Sequence, residues 1–259
     1  MKLLISPAKK MDRDTDTLPW RDLPVLLERT ERLLEHLRGL PLPALKGLLA
    51  CSDGLAELNF RRYREMDLRR DLTPALLAYE GIQYRYMAPQ VFTTEQYEYV
   101  QAHLRILSGF YGLLRPFDGV VPYRLEMQAR LKTGFCTSLY DFWGPALAEE
   151  LIRDGERVVL NLASEEYAKA VRPHLPPDVR WVSPVFGEPA GERVVEKGVH
   201  VKMARGEMVR FLAETGGETP EAALAFDRLG YRHDPERSGP DRPVFLKEHR
   251  KGEEREGWN

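Results

Sequence analysis

Residues 106–127 read ILSGFYGLLRPFDGVVPYRLEM and hold Arg115, Asp118, Arg124 and Glu126 close together inside apolar sequence. Arginine presents a planar fork of donors that matches phosphate or carboxylate bidentately. A carboxylate set among tyrosines and partly neutralised by arginine can serve as a general acid or base. Asp118, Glu126 and, further on, Asp141 are therefore the candidate catalytic groups. The same carboxylates have a second use, which is to orient Arg115 and Arg124 by ion pairing.

Within this stretch, Ser108-Gly109-Phe110-Tyr111-Gly112 follows a helical pattern that opens at Thr94 and runs through Leu107. A glycine turn at a helix end lets backbone N–H groups meet phosphate oxygens, as in helix-hairpin-helix DNA-binding modules. Those modules space their glycines two apart, whereas Gly109 and Gly112 are three apart. The alternative is a helix end packed on a neighbour. A second helix–turn–helix pattern spans 45–64, LKGLLACSDGLAELNFRRYR, with Ser52-Asp53-Gly54 as connector and Arg61, Arg62 and Arg64 as a basic end. An amphipathic helix with a solvated arginine face would read the same way.

Further polar clusters fall at the ends of predicted elements. Ser6-Pro7-Ala8-Lys9 follows the run LLIS; Asn161 and Ser164 close RVVLNLAS; Lys202, Arg205 and Arg210 surround a helix start. Strand ends are where α/β-type folds place ligands. At Asn161–Ser164, free N–H groups at a helix start would favour an anion, although Ser164 serves equally well as an N-cap.

The elements that must position these groups follow from periodicity. Helical spacing is predicted for 22–40, after Pro43, after Ser52, over 73–79, from Thr94, after Ser138 with a bend at Pro145, and over 205–215. Strands are predicted at 3–6, 157–164, 181–186 and 243–249, with a hairpin centred on Lys197-Gly198 in 193–203. Helices dominate the first half and strands follow residue 156. This makes one α+β domain over 1–248 with a charged C-terminal tail at 249–259.

Composition narrows the function classes. The 259-residue chain is 43% hydrophobic and 30% charged, as expected of a soluble globular protein. No apolar run approaches the roughly 20 residues that cross a bilayer, and the N-terminal apolar stretch is too short for a signal-peptide core. A cytoplasmic protein without membrane partners is the expectation. The net charge of −2 excludes a uniformly basic nucleic-acid binder, yet 28 of the 38 cations are arginine. Walker, G-x-G-x-x-G, H-E-x-x-H and C-x-x-C signatures are absent, and the six histidines show no pair at short ligand spacing. No metal site and no cofactor is expected.

SPAKKMD, LSGFYGLLRPFDGVVPYRLEM, LYDFWG, NLASEEY and KMARGEMVRF, in this order, resemble the YaaA family of peroxide-stress proteins from Met1 to about Leu246. The resemblance implies an α+β domain of YaaA-type topology with a mixed sheet and a helix-hairpin-helix-like element beside a basic cleft. It also implies a part in surviving peroxide, limiting free intracellular iron and binding DNA. The chain departs from the family's pattern at Tyr79-Glu80-Gly81-Ile82-Gln83-Tyr84, where a lysine is expected after the aromatic residue.

Two functions stay open at this level. In the first, Ser6, Lys9, Gly109, Gly112, Arg115, Arg124, Asn161, Ser164, Lys202, Arg205 and Arg210 contact the phosphates of double-stranded or locally unpaired DNA without sequence preference. Tyr111, Tyr123 and Trp143 would then stack on unpaired bases. In the second, the same cleft binds a nucleotide and its carboxylates cleave the glycosidic bond.

Overall fold

Leu3-Leu4-Ile5 contains no polar position that could face water, so a strand built from it must be covered on both faces. In the computed structural model, which describes residues 1–247, this run is the central strand of a five-stranded sheet. Its strands are β1 (Lys2–Ile5), β2 (Leu104–Ser108), β3 (Gly112–Leu114), β4 (Val158–Leu162) and β5 (Arg180–Val182). Their spatial order is β3-β2-β1-β4-β5. β1 runs parallel to both β2 and β4, with Ile5 opposite Ile106 and Leu162, while β3 returns antiparallel to β2. From β1 the chain proceeds to β2 on one side and later crosses to β4 and β5 on the other. The boundary between β1 and β4 is therefore a topological switch point, where a crevice opens beyond the carboxyl ends of the strands.

A second sheet holds β6 (Val185–Ala190), β7 (Arg193–Val195), β8 (Tyr231–His233) and β9 (Val244–Lys247) in the order β7-β6-β9-β8. Phe186 and Phe245 stack across it at 5.2 Å between ring centroids, and Phe226 and Tyr231 pack edge-on around them. One continuous apolar core, from Met1 to Phe245, joins this sheet to the first. The α+β domain expected from the sequence is what forms.

The helices Leu27–Gly39, Leu42–Leu49 and Asp53–Glu65 cover the N-terminal half, and the 18-residue helix Gly198–Thr215 packs along the short helix Ile82–Met87. Among the described residues, no helix is long and apolar enough to cross a membrane.

Four elements differ from the sequence expectation. The helix that begins at Thr94 ends at His103, and Leu104–Ser108 is strand β2. Leu104 and Leu107 satisfy a helical period, but pairing with β1 outweighs it. Arg105 donates to the carbonyls of Gln101 and Leu104, and Lys2 donates to that of Ala102, which closes the helix end. Ser108–Gly112 is consequently the turn of a β-hairpin rather than a helix-hairpin-helix turn. The 42–65 segment does form two helices, joined through Ala50 at φ 44.

The predicted 181–186 strand breaks at Pro184, which lacks an N–H, so that β5 and β6 enter different sheets. The predicted hairpin at Lys197-Gly198 turns instead at Gly191-Glu192, where Gly191 has φ +62, and Gly198 begins the long helix. Over 73–79 only Ala75–Ala78 is helical. The charged tail lies outside the described residues.

Candidate anion-binding site

Ser6 and Ser164 follow the carboxyl ends of β1 and β4, one on each side of the switch point. The Ser164 N–H donates to Ser6 Oγ at 2.8 Å, and the Ser6 hydroxyl donates to Ser164 Oγ at 3.2 Å. This joint forms the floor of a pocket of about 490 Å³. Three more segments wall it: Ala8–Lys10, the helix start at Gly81–Tyr84, and Tyr123–Glu126, with Glu166 and Tyr167 near Ser164 and Lys202 and Arg205 on the long helix. The volume lies in the range of small-molecule sites.

The charges are mixed but organised. Glu126 Oε2 lies 2.9 Å from Lys9 Nζ, and its Oε1 accepts from Arg124 Nη2 at 3.0 Å. Both oxygens of this carboxylate thus meet cations. Arg124 is held by its backbone, since the Tyr63 hydroxyl donates to its carbonyl at 2.6 Å. Its Nε is buried with no hydrogen-bond partner among the described residues, and the same is true of Arg205 Nε. Burial also pushes the Arg205 guanidinium below its usual pKa, against the opposing pull of Glu196. An unpartnered buried donor carries a desolvation penalty of about 1–3 kcal/mol, more when charged, which a ligand acceptor would relieve.

Glu166 enters the pocket from the other side. Its Oε1 accepts from the Gln128 N–H at 3.2 Å, and the Tyr140 hydroxyl donates to its backbone carbonyl at 2.9 Å. Burial raises its pKa, and Glu126 adds to the rise, while the Gln128 N–H and Lys9 oppose it. Tyr84 donates to the Ser6 carbonyl at 3.0 Å, and Gln83 Nε2 donates to the Leu162 carbonyl at 3.3 Å, which ties the helix 82–87 to both strand ends.

The residues expected to act together separate into two groups. Ser6, Lys9, Tyr123, Arg124, Glu126, Ser164, Lys202 and Arg205 converge on the pocket. The others have structural tasks. Arg115 reaches toward Glu150 at 4.0 Å, and Arg210 pairs with Glu214 at 2.8 Å. Asp118 is 2% exposed and accepts from the Arg115 N–H at 2.8 Å; desolvation raises its pKa to about 7. Asp141 accepts from the Thr137 N–H and hydroxyl at 2.8 and 3.0 Å, and the first of these bonds leads in lowering its pKa. Asn161 accepts from the Ala163 N–H and donates to Ser183 Oγ, so it braces the loop. The Ser164 N–H, being taken by Ser6, is not open to an anion.

The glycines and two of the aromatics are corrected most sharply. A Cβ on Gly109 would lie 2.4 Å from the Leu125 carbonyl oxygen, and one on Gly112, at φ +81, would lie 2.7 Å from the Trp143 ring. These glycines let the hairpin turn seat beneath the segment that carries Arg124 and Glu126. Tyr111 and Trp143 are fully buried and committed: the Tyr111 hydroxyl accepts from the Val121 N–H, and Trp143 Nε1 donates to the Gly109 carbonyl at 3.1 Å. Neither ring is available to a base. Tyr123 lines the pocket while its hydroxyl lies 2.5 Å from Ser108 Oγ and 2.9 Å from the Tyr79 hydroxyl.

Sequence reasoning missed Glu166, Tyr167, Tyr84 and Gln83. Glu166 and Tyr167 lie two and three residues after Ser164, in a stretch whose acids read only as helix-start residues. Tyr84 and Gln83 belong to the stretch that departs from the expected family pattern. No group of three His, Cys, Asp or Glu side chains among the described residues is placed to hold a metal ion.

Fold and pocket together define a mixed α+β protein with a pocket of mixed charge at the switch point of its parallel strands. Residues 1–237 match the family described as peroxide stress protein YaaA. A UPF0246 protein of Desulfitobacterium hafniense is 53% identical over 247 residues, covering 95% of this chain and 98% of the relative. UPF0246 proteins of Agathobacter rectalis and Pediococcus pentosaceus are each 49% identical, over 245 and 247 residues, covering 95% of this chain and 98% of each relative. The chain belongs to the YaaA peroxide-stress protein family.

Proposed function

We propose that the pocket binds one nucleotide unit, and that this binding underlies the protein's part in peroxide stress. The phosphate would lie toward Lys9, Lys202 and Arg205, with sugar and base against Tyr84, Tyr123 and Tyr167. The observation that carries this is the pair of buried, unpartnered arginine Nε donors in a pocket of ligand size. A buried guanidinium N–H without an acceptor is unfavourable unless an acceptor arrives. Any limit on free iron would then be a downstream consequence of occupancy.

A specific observation favours a nucleotide that is part of a DNA strand. The helix Asp53–Glu65 of the helix–turn–helix segment ends beside the pocket wall, since Tyr63 holds the Arg124 carbonyl. Arg62, on the same helix, lies close enough to Arg13 for their like charges, with burial the larger cause, to depress its pKa. Such a basic patch, with Asp12 its acidic neighbour, suits a backbone leading into the pocket.

The test is a titration of nucleoside monophosphates, a single strand, a duplex and a duplex with an unpaired bubble across a salt series. Arg124→Ala should weaken binding about 10- to 100-fold, the value of one charge-assisted hydrogen bond. Arg115→Ala, which sequence reasoning would have ranked equally, should leave it unchanged. Monophosphate binding without strand binding would identify the free nucleotide as ligand; absence of binding to all four would overturn the proposal.

A further inference from the structure

The pocket holds two carboxylates in opposite surroundings. Glu126 has a cation on each oxygen, Lys9 at 2.9 Å and Arg124 at 3.0 Å, and is thereby fixed in position. Glu166 stands across from it on a different element. Its carboxylate accepts from the Gln128 backbone N–H at 3.2 Å, the Met127 N–H also acts on it, and the charged groups that influence it are Glu126 and Lys9. Nothing else on the short helix Glu165–Ala168 neutralises it: Glu165 pairs loosely with Lys169 at 4.0 Å on the outer side. Two carboxyl groups whose surroundings divide them into a fixed anion and a proton-exchanging acid are the working parts of glycosidic-bond hydrolysis.

Resting on the nucleotide-binding reading, we infer that the pocket hydrolyses the C1′–N bond of its bound nucleotide, with Glu166 as the acid that protonates the departing base and Glu126 as the anion that stabilises the sugar cation. The C1′–N electron pair leaves with the base, and the base nitrogen takes the proton of the Glu166 carboxyl. Positive charge that develops on the sugar ring is met by the Glu126 carboxylate. A water molecule then adds its oxygen to C1′ and gives a proton to the Glu166 carboxylate, which restores the acid. The balance is nucleotide plus water to free base plus sugar phosphate, which within a strand is an abasic site, with no oxidant or reductant. The phosphate contacts to Lys202 and Arg205 do not change during these steps, so they supply binding rather than proton transfer.

The pull of Lys9 on Glu166, which opposes the rise in its pKa, is moderated. The lysine is committed to Glu126, and its ammonium is 65% exposed, so its field at Glu166 is screened by solvent. Removal of the Glu126 charge would release Lys9 toward Glu166 and favour its ionised, inactive form. The two carboxylates are thus coupled through one lysine.

The experiment measures free base released from nucleoside monophosphates and from a single-stranded oligonucleotide by chromatography, at enzyme in excess over ligand and between pH 5 and 9. The wild-type protein should release base from whichever of the two it binds, at a rate that falls as pH rises. Glu166→Gln should retain binding within about threefold and lose about 10²- to 10⁴-fold in rate, the usual size of a general-acid contribution. Glu126→Gln should also lower the rate and should move the pH dependence to lower values. If Glu166→Gln fails to fold, as judged by its thermal transition, Glu166→Asp keeps the carboxyl and should show a slower rate with a pH profile of the same form. A bound nucleotide that the wild-type protein never cleaves overturns the catalytic inference and leaves the binding proposal standing. Cleavage unaffected by Glu166→Gln overturns the residue's role, and absence of any binding overturns both.

Discussion

Gly206→Ala tests whether the contact between two helices determines the shape of the pocket. Gly206 is buried on the long helix, and a Cβ there would lie 2.1 Å from the Gln83 carbonyl oxygen and 3.0 Å from Met87 N. These are backbone atoms of the helix 82–87, so no side-chain rotation can relieve the overlap. Overpacking of this kind costs about 1–3 kcal/mol, with the severe distance placing it near the upper end. The exchange of glycine for alanine within a helix returns about 0.5–1 kcal/mol. The net expectation is about 2 kcal/mol of destabilisation, a fall of about 4–8 °C in Tm for a domain of this size. Lys202 and Arg205 stand on one of these helices and Gln83 and Tyr84 on the other, so forcing them apart should also weaken nucleotide binding. Gly47→Ala is the control. Gly47 sits inside the helix Leu42–Leu49 with nothing within 4 Å of its would-be Cβ, and the same substitution there should raise stability by about 0.5–1 kcal/mol. Thermal and urea unfolding of both variants supply the comparison. A Gly206→Ala protein as stable as the wild type would refute the close helix contact and the pocket shape derived from it.

Two further substitutions probe residues that the sequence pointed to and the structure reassigns. Asp118 titrates at about 7 when folded against the ordinary value of 3.8, because burial disfavours its charge. The folded chain therefore keeps a proton that the unfolded chain releases, so this group's contribution is full below the unfolded value and declines as pH rises through the folded one. Asp118→Asn removes the titration while keeping an acceptor for the Arg115 N–H; its stability relative to wild type should rise between pH 5 and 8, by at most about 3 kcal/mol. A relative stability that falls over that range, measured by urea unfolding, would contradict the burial. Trp143→Phe deletes the donor to the Gly109 carbonyl and should lower stability by about 1–3 kcal/mol without changing ligand affinity in the folded protein. Reduced affinity at unchanged stability would restore the base-stacking role.

The strands β1 and β4 were legible because uninterrupted apolar runs of that length have few alternatives to a covered parallel sheet. The polar residues at their ends followed directly, which brought Ser6, Lys9 and Ser164 to the pocket wall, while Lys202 and Arg205 were read at a helix start and lie inside the longer helix Gly198–Thr215. Leu104–Ser108 was not legible, because Leu104 and Leu107 fit either period and only the partner strand decides. That one boundary carried the larger error, turning a β-hairpin into a DNA-binding turn. Arg115 and Arg124 illustrate the remaining difficulty. Both stand in the same motif beside a carboxylate, and only the path of the chain between them, which sends Arg115 toward Glu150 and Arg124 toward Lys9 and Glu126, separates a structural arginine from a pocket arginine.

The supporting layer under the pocket explains why so few of its residues stand alone. The Gly109 turn seats directly beneath Leu125 and Glu126, Trp143 holds the Gly109 carbonyl, and Tyr63 holds that of Arg124. Tyr79 and Ser108 fix the Tyr123 hydroxyl, and burial pushes that phenol up to about 12 against the opposing pull of those two hydrogen bonds, so it remains a neutral, rigid wall at any physiological pH. A carboxylate such as Glu126 would repel an incoming phosphate if it were mobile or unpaired. Held between Lys9 and Arg124, it instead orients the arginine, whose Nε stays buried without a partner. The aromatic and glycine residues of 106–127 thus hold in place the two polar side chains of the motif that reach the pocket, and Arg115 and Asp118 close the turn on its far side.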